Sequence, residues 1–455
     1  MTETVPTSES TTGREDTGLR PDVIAILGGV GLIAVAAVVG AVAKSRGIPI
    51  EVISPPLLAW FQPHVGASTP LAVAVAVVIV TYGPSVASRL SWRPLLFAAW
   101  GSSLAWVMSL ALVDGWYRFG WRLGSRREYL HEVPTAPPWS ELLPGFAERI
   151  AADGPERWTT HVAGHPPGAL AFFMALDQIG LRGGYWAAAA VVLIGTSAVV
   201  AIALTVKVLD DESLARRALP FVVLTPAAIW IAVSADAMFM GVTAWAVTLL
   251  AYAGKRRDRL GDLLALASGL LFAAILYLSY GLVLAAFLAG AVLLATRRIR
   301  PGLIAGVVVI VAVALVALGG FWWWEGLQQL HIRYYQGVGG VRPYAYWVWG
   351  NLAAALVCAG PVVAAGLRRS VLRVRARGIF GGTAGVSLLV VGALAAMLVA
   401  SLSGLSKSEV ERIWLPFTVW LLPSCALLPT VWRRWFLGLQ ALAALLVQHI
   451  LLTNW

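Results

Sequence analysis

An all-α, polytopic membrane protein is the fold class this sequence predicts. Three observations lead there. The 455 residues are 59% hydrophobic and only 13% charged, against about 25% charged in a typical soluble domain. Mean hydropathy is +0.78. Apolar runs of about 18 or more residues, the length a bilayer core demands, recur along the chain. A soluble globular enzyme, a disulfide scaffold and a disordered chain are excluded on these grounds. Cys358 and Cys425 both fall inside apolar segments and read as packing residues.

Thirteen apolar segments are predicted to span: 23–43, 70–88, 94–113, 186–206, 218–234, 237–253, 263–279, 281–296, 302–324, 346–367, 380–402, 413–431 and 435–452. Ahead of them, residues 1–21 are polar and lack the basic start of a signal peptide, so they read as a disordered cytosolic tail. Residues 22–455 form the integral membrane domain. With the N-terminus in the cytosol, cytosolic segments hold 21 basic and 10 acidic residues, a net +11, while the outer segments hold 13 of each. The positive excess thus faces inward, as the positive-inside rule requires. The same asymmetry removes any need for a nucleic-acid partner to explain the net charge.

Residues 166–180 are apolar enough to be mistaken for a further span. If they crossed, 17 basic residues of later cytosolic loops would be moved outside. The segment is short, opens on Pro166-Pro167 and carries Asp177, so it is placed as a juxtamembrane helix. Residues 114–185 then form one long outer loop. Loops of that length in a compact fold are usually functional, and the chemistry is expected to face outward.

Polar residues at the outer ends of the spans supply the candidates. Asp114 closes the third span in ALVDGWYRFG, and an ionisable group at such a boundary is a candidate for function as well as a helix terminator. The RREYLHEV segment offers Arg126 and Arg127 for a phosphate and Glu128 for a sugar hydroxyl or a proton; the plainer reading is a solvated helix with local ion pairs. In HVAGHPPG, Pro166 and Pro167 start a helix and hold His165 at its entrance, with His161 four residues earlier. The two histidines leave a divalent metal open, although no close set of further ligands at standard spacing accompanies them. Asp236 lies in a short outer turn, suited to orient a hydroxyl or to pair with an outer-loop arginine. In GLSKSEVERIWLPF, Glu409 and Arg412 share a face at i, i+3, and Lys407 and Arg412 stand at headgroup level. Five of the 21 tryptophans lie in residues 321–349, with Arg333 among neighbouring Glu, His and Tyr side chains that suit a sugar ring as well as an aromatic belt.

The order of these features resembles the GT-C superfamily of membrane glycosyltransferases, and within it the protein O-mannosyltransferase and lipid A aminoarabinose transferase group. The likeness rests on Asp114 after a span in a long outer loop, the His165–Gly168 HPPG, and the outward Asp236; it covers roughly residues 110–300. Where that group often has Asp-Glu and a leucine, this chain has Gly115 and Gly168. The resemblance implies a GT-C-type bundle and a polyprenyl-phosphate-linked sugar as donor. It also implies an inverting glycosyl transfer on the outer face of the plasma membrane, to a lipid, glycan or protein acceptor. Either Asp114 or Glu128 would be the base, with His161, His165 and Asp236 orienting sugar or acceptor. Lys407, Arg412 or the Arg126–Arg127 pair would face the leaving phosphate. The competing expectation is a transporter or lipid flippase without covalent chemistry, which needs charges nearer the membrane midplane.

Overall fold

The computed structural model describes residues 18–378 and 384–454. It is helical almost throughout. Eight helices of the described residues are long and apolar enough to cross a membrane, from Leu19–Ser45 to Gly385–Leu402. The number rises to ten if each of two bent pairs counts as one crossing. Their outward surfaces are apolar: Leu318 is 86% exposed and Ile310 69%. Such continuous apolar exposure suits a lipid surround. The most enclosed long helix is Ala235–Lys255, which packs against Arg259–Leu278 and the Gly184–Leu209 pair.

Ion pairs gather at two ends of this bundle. At the arginine-rich end, buried Asp22 meets Arg368 at 3.0 Å and Arg369 at 2.6 Å, and Arg373 meets Asp210 at 2.6 Å. Arg216 donates to the Ala87 and Leu90 carbonyls there, both at 2.8 Å. Arg300 reaches Asp262 at 2.8 Å. The opposite end carries Asp114, Glu128, Asp236, Glu409 and Arg412. A two-stranded antiparallel pair also sits at this end, Ala59–Phe61 against Leu451–Thr453.

Several expected segments differ in detail. The segment 346–367 is two helices, Tyr344–Ala359 and Val362–Arg377, bent by 103°. Gly360 at φ +90 and Pro361 form the joint, because proline cannot continue the hydrogen-bond ladder. The five arginines Arg368, Arg369, Arg373, Arg375 and Arg377 lie on the second of them. Segments 413–431 and 435–452 become Leu415–Leu427 and Thr430–Ile450, bent by 114°. Segment 302–324 is helical only to Leu318, and a new helix starts at Trp323. Segment 218–234 is interrupted after Val223, ahead of Pro226, with a short turn of helix at Ala228–Ile231. Of the expected tail, residues 1–17 lie outside the described residues, and the first helix begins at Leu19 rather than after residue 21. The start of segment 380–402 also lies partly outside them. The 166–180 segment forms the helix Pro167–Gln178.

Candidate functional site

Asp114 ends a 3-10 turn, Leu112–Asp114, that closes the Trp92–Ala111 helix. Gly115 follows at φ +92, a conformation that side-chain-bearing residues rarely adopt. That turn starts the short helix Trp116–Trp121 and swings Arg118 and Arg122 back toward the carboxylate. Asp114 Oδ2 lies 3.5 Å from Arg122 and 4.0 Å from Arg118. His64 Nε2 approaches Oδ1 at 2.9 Å, and Gln448 Nε2 donates to it at 3.2 Å. A narrow recess lies beside these groups, walled by Phe119 and Ile229. Burial, joined by Arg118, draws the Arg122 guanidinium down to about 9.

Glu128 follows a tight turn whose N–H bonds the Ser125 carbonyl. Its side chain is buried and lies 3.2 Å from His161 Nδ1. The His161 backbone N–H donates to the Arg127 carbonyl at 3.0 Å, which ties the HPPG segment to the RREYLHEV segment. His165 Nδ1 stands 2.7 Å from the His161 carbonyl. A carbonyl only accepts, so Nδ1 carries the proton and Nε2 of the neutral ring is left as an acceptor. Burial pushes this imidazole down to about 4 despite the pull of Asp236, so the ring is neutral at physiological pH. Tyr129 and Phe239 enclose it, with ring centres 5.6 and 5.5 Å away. Gly168 explains one departure from the HPPL pattern: a Cβ there would lie 2.5 Å from the Tyr277 carbonyl, so a leucine is excluded by the neighbouring backbone.

Asp236 occupies the first turn of the Ala235–Lys255 helix, where the helix dipole favours an anion. Arg412 donates to it at 2.7 Å and to Glu409 at 2.7 Å. Arg342 lies 3.6 Å from Glu409. Burial alone would raise Glu409, but Arg412 and Arg342 hold it at about 2. Arg412 sits in the short helix Val410–Ile413, entered through Ser408 and Glu409 at φ +75 and +62. Two consecutive left-handed side-chain-bearing residues store roughly 1–3 kcal/mol each. Asn351 secures that turn, accepting from Ser408 N–H at 3.1 Å.

Of the residues nominated from sequence, Asp114, Glu128, His161, His165, Asp236, Glu409 and Arg412 therefore belong to one end of the bundle, in three groups: Asp114 with His64, Arg122 and Gln448, Glu128 with His161 and His165, and Asp236 and Glu409 with Arg412. The Arg122 guanidinium feels the charges of both Asp114 and Glu128. Four other nominees make their contacts elsewhere. Arg126 and Arg127 are exposed. Lys407 donates to the Gly339 carbonyl at 2.7 Å and lies 5.1 Å over the Tyr335 ring. Arg333 donates to the Ile150 carbonyl at 2.7 Å. Lys407 and Arg333 brace loops, because a buried carbonyl at a bundle end needs a donor.

Sequence reasoning missed His64, Arg118, Arg122 and Gln448, and gave Glu411, one of the charges of the GLSKSEVERIWLPF segment, no role. Gln448 and its neighbour His449 did carry a signal, as polar residues inside an apolar span. Glu411 is fully buried; it accepts from the Leu58 N–H at 3.1 Å, and its second oxygen has no hydrogen-bond partner. Burial pushes its carboxyl up to about 7.

No protein-family model matches this chain, and no curated protein matches it. The geometry alone must carry the functional reading. Among the described residues, no three His, Cys, Asp or Glu side chains converge closely enough to hold a metal ion.

Proposed function

We propose that the protein is an inverting glycosyltransferase that takes a polyprenyl-phosphate-linked sugar at the outer face of the plasma membrane. In this reading the thirteen apolar segments all span, and the arginine-rich end is cytosolic. One observation carries the proposal: carboxylates, a neutral imidazole and guanidinium groups, drawn from segments far apart in sequence, converge at the end opposite the arginine-rich one. Such a set suits a displacement in which one group takes a proton and others meet developing negative charge.

The chemistry balances simply. An acceptor hydroxyl attacks the anomeric carbon, the bond from that carbon to the phosphate oxygen breaks, and the lipid phosphate leaves with the electron pair. The hydroxyl proton passes to a carboxylate, either Asp114 or Glu128. His165 Nε2, an acceptor in an otherwise apolar box of Tyr129 and Phe239, is suited to hold a sugar hydroxyl. Arg412 is already shared between Asp236 and Glu409, so its role is to fix those two carboxylates rather than to take a phosphate.

The test is turnover of purified protein with a panel of polyprenyl-phosphate sugars and a membrane extract as acceptor source. Sugar transfer that disappears in Asp114→Asn or Glu128→Gln supports the reading and assigns the base. Absence of transfer with every donor, together with protein-dependent movement of a labelled lipid across proteoliposomes, rejects it in favour of a flippase.

A further inference from the structure

The arginine-rich end, opposite the candidate site, holds two cations that the fold leaves without an anion. The carboxylates described at this end are already engaged. Asp22, Asp210, Glu212, Asp258 and Asp262 pair with arginines, and Asp211 accepts from the Leu214 N–H. Several arginines here make no ion pair or hydrogen bond among the described residues, and Arg217 and Arg433 are the two of these that are not exposed. Arg217 Nε is buried and has no hydrogen-bond partner. The two cations are neighbours: burial and the charge of Arg217 both draw the Arg433 guanidinium down. Two partly buried like charges with no acid between them cost desolvation and repulsion that nothing in the fold offsets.

Three helices build this corner: Thr69–Arg89, Glu212–Val223 and Arg433–Ile450. Successive residues of a helix point about 100° apart, so the adjacent Arg216 and Arg217 serve different faces. Arg216 turns to Glu212 and to the carbonyls that end the first helix. Arg217 is left beside Arg433. Arg434 reaches Ser85 Oγ, at 3.4 Å, a weak contact that closes the corner from the other side. Away from the cations, the first and third helices turn apolar faces outward: Val78, Tyr82 and Val86 on one, and Trp435, Leu442 and Leu446 on the other, are exposed. A free anion has no use for those faces, whereas a lipid lays its chains on them. Trp435, one residue from Arg434, suits the headgroup level.

We infer that Arg217, Arg433 and Arg434 form a site for the headgroup of an anionic phospholipid in the leaflet at the arginine-rich end. Its phosphodiester supplies the missing counter-charge, and guanidinium groups match phosphate oxygens in geometry. The chains follow the exposed apolar faces of the two outer helices. Basic corners between helices hold lipid headgroups in this way. The site is separate from the proposed transfer chemistry, which lies at the other end of the bundle. A ligand that binds the folded chain alone stabilises it, so occupation clamps three helices that are far apart in sequence.

Native mass spectrometry of the purified full chain in detergent, titrated with phosphatidylglycerol or phosphatidylcholine, tests this. The two lipids share chains and a phosphodiester and differ in net charge. Phosphatidylglycerol should bind about tenfold more tightly. Arg217→Gln/Arg433→Gln should abolish that preference. Arg257→Gln/Arg259→Gln removes the same charge from exposed positions at the same end and should retain it. Equal binding of the two lipids to the parent chain, or equal losses in the two double variants, overturns the inference. Inorganic phosphate should not displace the lipid; displacement at a concentration similar to that of the lipid makes the occupant a free anion and overturns the lipid assignment. In thermal unfolding, phosphatidylglycerol should raise the midpoint of the parent chain and leave that of Arg217→Gln/Arg433→Gln unmoved. If that variant fails to fold, Arg434→Gln decides, since its side chain is exposed and its contact with Ser85 is weak. Phosphatidylglycerol binding should weaken several-fold there, and unchanged binding overturns the inference.

Discussion

Asp236 and Arg412 lie 176 residues apart in the chain and 2.7 Å apart in the fold. Both are almost fully buried, at 3% and 5% exposure. The pair joins the start of the most enclosed helix to a strained turn between two others. Breaking a buried pair leaves an uncompensated charge and costs about 3–5 kcal/mol. Arg412→Met strands Asp236 and Glu409 together and should reach or exceed that range. Thermal unfolding in detergent, followed by size-exclusion chromatography, measures it. Asp236→Asn, which leaves Arg412 with Glu409, should cost less; equal losses would mean the Glu409 contact contributes little.

The two candidate bases separate by kinetics. Loss of a general base lowers turnover by about 10²–10⁴-fold. Asp114→Asn and Glu128→Gln each preserve shape, so a drop of that size in one alone, with donor binding retained, identifies the base. Comparable modest losses in both would assign the two carboxylates to positioning.

Glu411 gives the fold a pH dependence of definite sign. Its folded value, about 7, is above the ordinary 4.5. The folded state therefore binds more protons between those values, and the contribution is present below 4.5 and lost as pH rises through about 7. Glu411→Gln keeps an acceptor for the Leu58 N–H and removes the titration. It should match the parent chain near pH 5 and exceed its stability near pH 8, by up to ~3 kcal/mol. His165 titrates in the opposite sense: with a folded value of about 4 against 6.5, it costs stability as pH falls through that window. The acid limb of the profile should therefore survive in Glu411→Gln. Melting curves across pH settle both limbs.

Orientation can be read with single cysteines. Cys358 and Cys425 are buried, so the background is low. Arg126→Cys and Arg257→Cys replace exposed residues at opposite ends of the bundle. A membrane-impermeant maleimide added to intact cells should label the first, and label the second only after permeabilisation. The reverse pattern would place the site in the cytosol.

The helical character of the chain and the clustering of charge at two ends were legible in the sequence because both follow from local composition. Asp114, His165 and Asp236 were legible as candidates because each interrupts an apolar stretch or sits beside a proline or glycine that fixes it. The Glu409–Arg412 contact was legible as an i, i+3 pair, although Glu409 is left-handed and stands just ahead of the Val410–Ile413 helix. The partner of Asp236 was open, since no local rule selects one outer-loop arginine over another. Lys407 and Arg333 were nominated for their charge, yet neighbouring carbonyls claim both. His64 and Arg122 were invisible because single residues of ordinary type carry no pattern; only the fold around Gly115 brings them to Asp114. The Gly360-Pro361 break was present in the sequence, but the hydropathy of the flanking residues masked it.

The strand pair between Ala59–Phe61 and Leu451–Thr453 has a temporal consequence. Gln448 completes the Asp114 cluster, His449 bonds Thr69 at 2.9 Å, and the Thr453 carbonyl orients Arg118. His64 and Asp114 emerge from the ribosome more than three hundred residues before those partners exist. During synthesis the recess stays an open half-site while helix after helix is inserted, and it closes when the far end of the chain returns to the near end. A nascent chain that has not yet reached Gln448 already has its carboxylates, but not the contacts from Gln448 and Thr453 that set this cluster.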